Sequence, residues 1–339
     1  MAQNIRIVLD AMGGDHAPAN EVAGAVAALR QSGNAFEVIL VGHEKAIRNE
    51  LTAHDTEGLS LSVVHADEVI TMDDAPTASV KQKKNSSLAI GINLHKEGNA
   101  EAFASVGNTG AVLSASTLIL GRIKGISRPT IGTFLPSIKG KCLLVDAGTN
   151  VDCRPRQLFE FGVMGSIYAK KIFKYENPTV GLLNVGEEKG KGGEVVQQAY
   201  ELFEKSNLNF IGNVEGRDIL KGKAHVVVCD GFVGNAILKF GESVPGFLKY
   251  RLKEYAETSL FNKIILGLAR GSMRKALKDM DYEEVGGVPV LGVNGVSLIG
   301  HGGSTPKALK NMVLKAYDVA SSDLHQTIAE AVASLPSVE

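Results

Sequence analysis

Six loops in this sequence combine glycine with Asp, Asn or Thr directly after an apolar run, and that combination suits the binding of a small anion. Glycine leaves backbone amides accessible, and the dipole of a following helix attracts negative charge. The loops are Asp10 to Pro18, Gly107 to Gly110, Asp146 to Asn150, Asn184 to Gly190, Asn213 to Gly216 and Asp230 to Asn235. We expect them to line one polar crevice at the carboxyl ends of the strands.

The segment Gly107-Asn108-Thr109-Gly110 ends a predicted strand and opens a predicted helix. Its amides and hydroxyl could hold phosphate oxygens, although a tight turn capped by Asn or Thr has the same sequence pattern. Lys84, Ser86 and Ser87, predicted to lie on a helix, could add a cation and two hydroxyls. A lysine pair is also typical of a solvated helix face.

Other titratable residues in these loops have several possible roles. His16 and His301 each precede a helix that starts with proline, and each could carry protons, bind an anion or simply bond to backbone. Asp10, Asp146 and Asp230 follow apolar strands, a position shared by general bases, metal ligands and helix caps. The residue pattern alone leaves these alternatives open.

Missing motifs and composition exclude several enzyme classes. There is no GxxxxGK[ST] loop, and the Gly-x-Gly pairs at Gly190 and Gly300 lack the third glycine of a dinucleotide fingerprint. GxSxG and HExxH are also missing. With 36 Lys+Arg against 37 Asp+Glu, the chain lacks the basic excess that nucleic-acid binding requires. We therefore expect no cofactor and no nucleic-acid partner, and we assign no metal ligand, while the sequence leaves a metal requirement open.

The cysteines and the amino terminus indicate a cytoplasmic protein. Cys142, Cys153 and Cys229 have no CxxC spacing, and Cys142 and Cys229 lie in apolar runs that predict buried core positions. The chain enters its first apolar run at Ile5 without the basic segment and cleavage site of a signal peptide.

Apolar, strand-like runs alternate with helix-like segments along the chain. This alternation predicts a doubly wound α/β/α sandwich, formed by a parallel sheet with helices on both faces. No linker or repeat divides the chain, so we expect a single catalytic domain over residues 1–339. The predicted strands begin near Ile5, Phe36, Leu59, Ala102, Thr130, Cys142, Val180, Asn209 and His225. The predicted helices include 18–31, 77–95, 109–120, 155–173, 193–205 and a terminal helix from about Thr305.

Residues 245–280 depart from this alternation and predict a protruding helical element. Leu260, Phe261, Ile264 and Ile265 form part of an apolar stripe that basic residues surround. Such a helix could lie on an anionic membrane surface, and its basic face could also attract an acidic protein. Packing against a dimer partner explains the stripe equally well.

Taken together, the six loops resemble in order the motifs of the bacterial phosphate acyltransferases of phospholipid synthesis. The resemblance extends to Lys84-Asn-Ser-Ser87, Gly121-Arg-Ile-Lys-Gly125, Gly286-Gly287, Leu291-Gly-Val293 and His301-Gly-Gly-Ser304, and so covers almost the whole chain. Two positions differ from the family pattern, where alanine is usual: Val106 and Thr149. Thr149 is expected to change the hydrogen bonds of its loop.

The resemblance implies transfer of a fatty acyl group from acyl-acyl-carrier protein to inorganic phosphate, which forms an acyl phosphate. It also implies a fold related to the phosphate acetyltransferases and the isocitrate-dehydrogenase-like superfold, and a homodimer. From the helical element over residues 245–280 we expect peripheral contact with the inner face of the membrane. An enzyme that uses acyl-CoA, and a noncatalytic anion-binding scaffold, are the alternatives.

On this basis we select three groups of candidate site residues. His16, Asp230, Asn235 and His301 are the candidate catalytic residues. The candidate phosphate site comprises Lys84, Ser86, Ser87, Asn108, Thr109 and Gly110. Asn150, Asn184 and Asn213 are the candidates for contact with the acyl group or its carrier.

Overall fold

The computed structural model describes residues 5–276 and 286–335, and these residues fold around one continuous mixed sheet. Eleven strands follow each other across it in the order β3-β2-β1-β4-β11-β10-β5-β6-β9-β7-β8. Their bounds are β1 Arg6–Asp10, β2 Glu37–Gly42, β3 Leu61–His65, β4 Ala102–Ser105, β5 Thr130–Ser137, β6 Gly140–Val145, β7 Val180–Leu183, β8 Phe210–Val214, β9 Val226–Val228, β10 Val288–Leu291 and β11 Ser297–Ile299.

Twelve α-helices are assigned in the described residues, and those that pack on the sheet form a layer on each face. Their bounds are α1 Ala19–Gln31, α2 Glu44–Leu51, α3 Pro76–Gln82, α4 Ser87–Lys96, α5 Thr109–Ala115, α6 Pro155–Lys171, α7 Glu194–Glu204, α8 Gly216–Lys221, α9 Gly231–Glu257, α10 Leu260–Ala276, α11 Pro306–Ala320 and α12 Leu324–Ala333. A π-helical turn, Ser116–Leu120, continues α5. The predicted α/β/α sandwich is confirmed.

Alternate residues of each strand supply separate apolar cores on the two faces of the sheet, as the pleat of a strand requires. Ile7 and Leu9 of β1 pack toward α1 and α11, whereas Val8 packs toward α4 and α5. In β6, Leu143 and Val145 face α6, while Cys142 and Leu144 join the core beneath α8 and α9. The buried positions predicted for Cys142 and Cys229 are confirmed.

The sheet is mixed, so the expectation of a parallel sheet was wrong. β5 and β6 form an antiparallel ladder from Gly132↔Val145 to Ser137↔Gly140, because only two residues connect them. β10 is antiparallel to both β5 and β11. The direction reverses at β6, so the carboxyl ends of β1, β4, β5 and β11 lie at one edge and those of β6, β7, β8 and β9 at the other. The six loops therefore do not line a single crevice.

Two helical predictions also differ from the structure. The helix expected over 77–95 is two helices, and residues 83–86, including Lys84, form the turn between them. The terminal helix divides between α11 and α12. Strands β10 and β11 were not predicted individually, since glycines and Pro289 interrupt their apolar run.

The helical excursion consists of α9 and α10, which pack against each other as a hairpin. α9 begins at Gly231, well before Pro245, and α10 continues through Gly267 and Gly271 without a break. Residues 277–280 of the predicted excursion lie outside the described residues. Among the described helices, none has the length and apolar character needed to cross a membrane.

Candidate active site

Three of the glycine-containing loops meet at the edge formed by the carboxyl ends of β1, β4 and β11. A Cβ on Gly13 would lie 2.8 Å from the amide nitrogen of Gly107, so only glycine permits this approach. The Asp15 amide donates to the Gly302 carbonyl at 2.9 Å, and the Gly300 amide donates to the Ser105 carbonyl at 2.9 Å. We call this junction of residues 10–18, 107–110 and 300–304 the glycine junction.

Asp10, the last residue of β1, is the buried carboxyl residue at the base of the junction. Its side chain is buried and accepts hydrogen bonds from the Ser105 hydroxyl at 2.7 Å and the Met12 amide at 3.1 Å. Burial raises the pKa of the Asp10 carboxyl, while hydrogen bonds from Ser87, Ser105 and Met12 oppose that rise. These contacts join the start of the 10–18 loop to Ser105 at the end of β4 and to Ser87 at the start of α4, so Asp10 positions the loop.

Glu21 is a second buried carboxyl at the junction, and sequence reasoning missed it. It lies in the first turn of α1 and is 1% exposed. A Cβ on Gly14 would lie 2.3 Å from its Oε1, while its Oε2 has no hydrogen-bond partner among the described residues. Burial, reinforced by the nearby Asp10 and Asp15 carboxyls, raises the pKa of Glu21 to about 7. In the sequence it looks like an ordinary acidic residue that favours a helix start.

Among the residues predicted to bind phosphate, some hold the loop in place through hydrogen bonds or packing and others are exposed to solvent. Asn108 caps α5, since its Oδ1 accepts from the Ala111 amide at 3.1 Å, and its Nδ2 donates to the carbonyls of Met72 and Asp74 at 3.1 and 3.2 Å. Gly110 packs against Pro76, where a Cβ would lie 2.7 Å from the proline ring. Thr109 is exposed. The loop can therefore offer Thr109 and its backbone, with the Asn108 side chain holding it in place.

The serines predicted to bind phosphate are buried instead of facing solvent. Ser86 caps α4 by accepting from the Ala89 amide at 3.2 Å, and Ser87 hydrogen-bonds to Asp10. Lys84 is exposed on the turn between α3 and α4. Its neighbour Lys83 forms an ion pair with Asp74 at 2.5 Å. A direct role in phosphate binding stays a prediction for all six residues, and Lys84 and Thr109 are the most accessible.

His16 and His301 lie on two loops that the junction joins. Both are exposed. The Nδ1 of His301 accepts a hydrogen bond from the Gly303 amide at 3.1 Å, which leaves Nε2 free to carry a proton. A Cβ on Gly303 would lie 3.6 Å from the Asp15 carboxylate, so this acid borders the same loop.

The opposite edge of the sheet carries a second polar cluster, centred on Asp146. This fully buried carboxylate accepts from the amides of Gly148, Thr149 and Asn150 and from the Asn150 side chain at 2.6–3.0 Å. The Thr149 hydroxyl adds a bond at 2.5 Å, confirming that threonine changes the hydrogen bonding of this loop. Asn150 also donates to the Pro129 carbonyl at 2.9 Å, which ties the loop to the start of β5.

Asp230 and Asn235 adjoin this cluster. Asp230 caps α9 by accepting from the Val233 amide at 2.9 Å. Asn235 is exposed next to Gly148, where a Cβ would lie 3.3 Å away. The structure therefore places Asp230 and Asn235 at one edge and His16 and His301 at the other, and does not bring the four candidate catalytic residues together within one chain.

Asn184 and Asn213 hold the loop that follows β7. Asn184 donates to the Lys191 carbonyl at 3.0 Å, and Asn213 donates to the Glu188 carbonyl at 2.9 Å. The Oδ1 of Asn213 is buried and has no hydrogen-bond partner within the described part of the chain. Both asparagines thus shape a loop whose Lys191 side chain is exposed.

The sequence of this chain is similar to those of known phosphate acyltransferases. A family profile described as "Fatty acid synthesis protein" matches residues 5–327. The chain is 47% identical over 334 residues to the phosphate acyltransferase of Chlorobaculum parvum, covering 96% of this chain and 98% of that protein. It is 46% identical over 331 residues to the phosphate acyltransferase of Pelotomaculum thermopropionicum, covering 98% and 96%.

Solved structures with low sequence identity share the fold. A phosphotransacetylase from Streptococcus pyogenes matches with a TM-score of 0.62 at 19% identity, covering 94% of this chain and 95% of that one. A branched-chain phosphotransacylase from Enterococcus faecalis matches with a TM-score of 0.57 at 13% identity, covering 93% and 99%. The fold expected from sequence, related to the phosphate acetyltransferases, is confirmed.

The raised pKa of Glu21 can be tested by measuring how the free energy of unfolding depends on pH. Its pKa in the folded protein, about 7, lies above its ordinary value of 4.5, so ionisation destabilises the fold as pH rises between these values. Glu21→Gln removes this penalty. The free energy of unfolding of the variant, relative to the parent protein, should therefore rise by about 3 kcal/mol between pH 4.5 and pH 8.

Denaturant titrations at several pH values would measure this difference. Glu57→Gln, at an exposed loop position, is the matched control and should give a difference that does not vary with pH. A stability difference for Glu21→Gln that also stays constant would contradict the assignment of a buried carboxyl that titrates near neutrality.

Proposed function

Since the chain belongs to the phosphate acyltransferase family of fatty acid synthesis proteins, we propose that it transfers a fatty acyl group from a thioester to inorganic phosphate. The product is an acyl phosphate that supplies phospholipid synthesis, and the proposed donor is acyl-acyl-carrier protein. The observation that carries this proposal is 47% identity to a phosphate acyltransferase over 96% of the chain. The glycine junction supplies a physical setting for the reaction.

The proposed mechanism is direct attack by phosphate. A phosphate dianion is already a nucleophile near pH 7, so its oxygen can attack the thioester carbonyl carbon without a strong base. Collapse of the tetrahedral intermediate breaks the C–S bond, and a thiolate leaves because a thiol has a pKa of about 8.5. The protein then has to orient both reactants and stabilise the oxyanion with hydrogen-bond donors.

The cysteines support a reaction without an acyl-enzyme. Burial raises the pKa of the Cys142 thiol to about 12. Burial, helped by Asp146 and Asp230, also raises the pKa of Cys153 to about 12 and that of Cys229 well above its ordinary value. A thiolate is the reactive form of cysteine, so none of the three is an activated nucleophile at neutral pH.

Within this proposal, the glycine junction binds phosphate. Thr109, Lys84 and the amides of residues 108–110 are the groups that contact it, and Asn108, Ser86 and Ser87 hold them in position. His16 and His301 lie on the same junction, where either imidazole can protonate the departing thiolate. Asp230 and Asn235, with Asn150, Asn184 and Asn213, belong to the second cluster, and we assign that cluster to the acyl group.

The first test is acyl phosphate formation with acyl-carrier-protein and CoA thioesters as parallel donors. We expect the carrier-protein donor to have the higher kcat/KM. Without phosphate, mass spectrometry should find the protein unmodified, and Cys229→Ala should keep its activity. A higher kcat/KM for acyl-CoA would change the proposed donor, and absence of product with both donors would favour a noncatalytic scaffold. An acylated cysteine or serine would overturn direct attack.

A second prediction concerns the phosphate loop. Thr109→Ala removes one exposed donor without touching the cap of α5, so it should raise the KM for phosphate about tenfold, as expected for loss of one hydrogen bond to a charged group. Asn108→Ala also removes the cap and the tethers to residues 72–74, and should lower kcat as well. Thr52→Ala, which removes an exposed hydroxyl at the end of α2 that bonds to the Asn49 carbonyl, is the matched control. Unchanged phosphate kinetics in both loop variants would remove this loop from the site.

We further propose that the α9–α10 hairpin contacts the membrane surface and that the protein is a homodimer. Leu260 and Phe261 are 76% and 70% exposed, and Ile264 and Ile265 are 54% and 46% exposed. The lysines and arginines of the hairpin accompany this apolar surface, as in helices that lie on anionic lipid.

Replacing Leu260, Phe261 and Ile265 with serine should abolish co-sedimentation with anionic liposomes while the dimer persists in analytical ultracentrifugation. Asn262→Ser, in the first turn of α10, is the control, because it changes the same region of the hairpin without removing apolar surface. If instead the triple variant dissociates and still binds liposomes, the hairpin face is a dimer contact.

A further inference from the structure

The two-residue turn between β5 and β6 presents an exposed aliphatic side chain next to a second one on α8. Ile138 is 85% exposed and Leu220 is 56% exposed. The Ile138 amide donates to the Leu220 carbonyl at 2.9 Å, so the two residues are held side by side. Single exposed apolar residues need no explanation, whereas adjoining ones form a small patch that a partner can bury.

Two lysines flank this pair without compensating acids. Lys139 and Lys141 are exposed, and neither forms an ion pair with a carboxylate of residues 5–276 or 286–335. The Lys141 ammonium lies 5.7 Å from the centre of the Phe173 ring. The Lys141 backbone is fixed to Tyr175, whose hydroxyl accepts from the Lys141 amide at 3.0 Å and donates to the Lys141 carbonyl at 3.1 Å. The charges are therefore presented on an ordered hairpin.

Further lysines adjoin Leu220. Lys221 pairs with Asp218 at 3.1 Å, and Lys223 pairs with Glu187 at 2.8 Å and lies 3.8 Å from Asp218. Asp218 is itself buried, so it faces inward beneath the two lysines. Four lysines thus lie around the aliphatic pair, and only the Asp218 and Glu187 carboxylates pair with any of them. This surface therefore has a net positive charge.

The position of the turn relates it to the glycine junction. β5 runs in the same direction as β4 and β11, so the turn projects from the edge that carries residues 107–110 and 300–304. β5 is three strands from β4 in the sheet, a lateral separation of about 15 Å. A partner bound at the turn would therefore stand at the same edge of the sheet as the proposed phosphate site.

We propose that Ile138, Lys139, Lys141 and Leu220 form the docking surface for the acidic carrier protein that delivers the acyl thioester. The inference rests on the proposed function. Opposite charge steers an acidic partner to the lysines, and the aliphatic pair gives it an apolar contact to bury. A second copy of this chain fits less well, because a two-fold contact centred here would set the lysines against their own counterparts.

The test compares two donors in the double variant Lys139→Glu/Lys141→Glu. The KM for acyl-acyl-carrier protein should rise at least tenfold at low salt, with kcat little changed, while acyl-CoA and phosphate keep their kinetic constants. The difference from the parent protein should shrink in 0.5 M NaCl, where exposed charges are screened. Lys45→Glu, an exposed lysine on α2 beside the far end of the sheet, should leave carrier-protein kinetics unchanged.

Ile138→Ser gives a second variant that retains every charge and should raise the same KM several-fold. Unchanged carrier-protein kinetics in both variants would overturn the inference, as would an equal loss in Lys45→Glu. A shift in dimer dissociation or in liposome binding, without a change in carrier-protein KM, would assign the surface to a second copy or to lipid and also overturn it. Failure of the proposed function differs from all of these outcomes, because the parent protein would then form no acyl phosphate from either donor.

Discussion

The antiparallel ladder between β5 and β6 determines on which side of the protein each polar loop lies. Six residue pairs join these strands, from Gly132↔Val145 to Ser137↔Gly140, and a two-residue turn connects them. Because β6 returns alongside β5, the parallel strands β9, β7 and β8 that follow it also run in the reversed direction. One sheet thus carries two sets of loops, each following the carboxyl ends of its own strands, at opposite edges.

The glycine junction and the Asp146 cluster each hold a polar loop rigidly at the end of a strand, but by different contacts. At the junction, backbone meets backbone, and glycine is required because any Cβ at Gly13 would displace Gly107. At the second edge a buried carboxylate organises the turn, since Asp146 satisfies three successive backbone amides. Both arrangements leave a rigid polar loop next to solvent, which is the pre-organisation that stabilisation of an oxyanion requires.

Local patterns predicted the elements of this fold well, whereas pairing between distant strands could not be read from them. The nine predicted strands correspond to β1 through β9, because buried strands are short apolar runs with clear ends. The reversal at β6 depends on the short turn at Ile138-Lys139, which lacks the Asn-Gly or Asp-Gly signal of a hairpin. Ser87 bonds to Asp10 and Ser86 caps α4, so both serines are buried through contacts that no spacing rule reveals.

Charge placement at the junction is consistent with a site for an anion. Ionised carboxylates beneath an amide-rich loop would repel a phosphate dianion, yet Asp10 and Glu21 both lie there, and Asp15 borders it. Burial raises the pKa of Asp10 and raises that of Glu21 to about 7, so these acids hold protons more tightly than exposed ones. A carboxyl that keeps its proton exerts little repulsion on an anion bound nearby. If phosphate binds at the junction as proposed, its charge favours the protonated form of Glu21, so phosphate affinity and this protonation are thermodynamically linked.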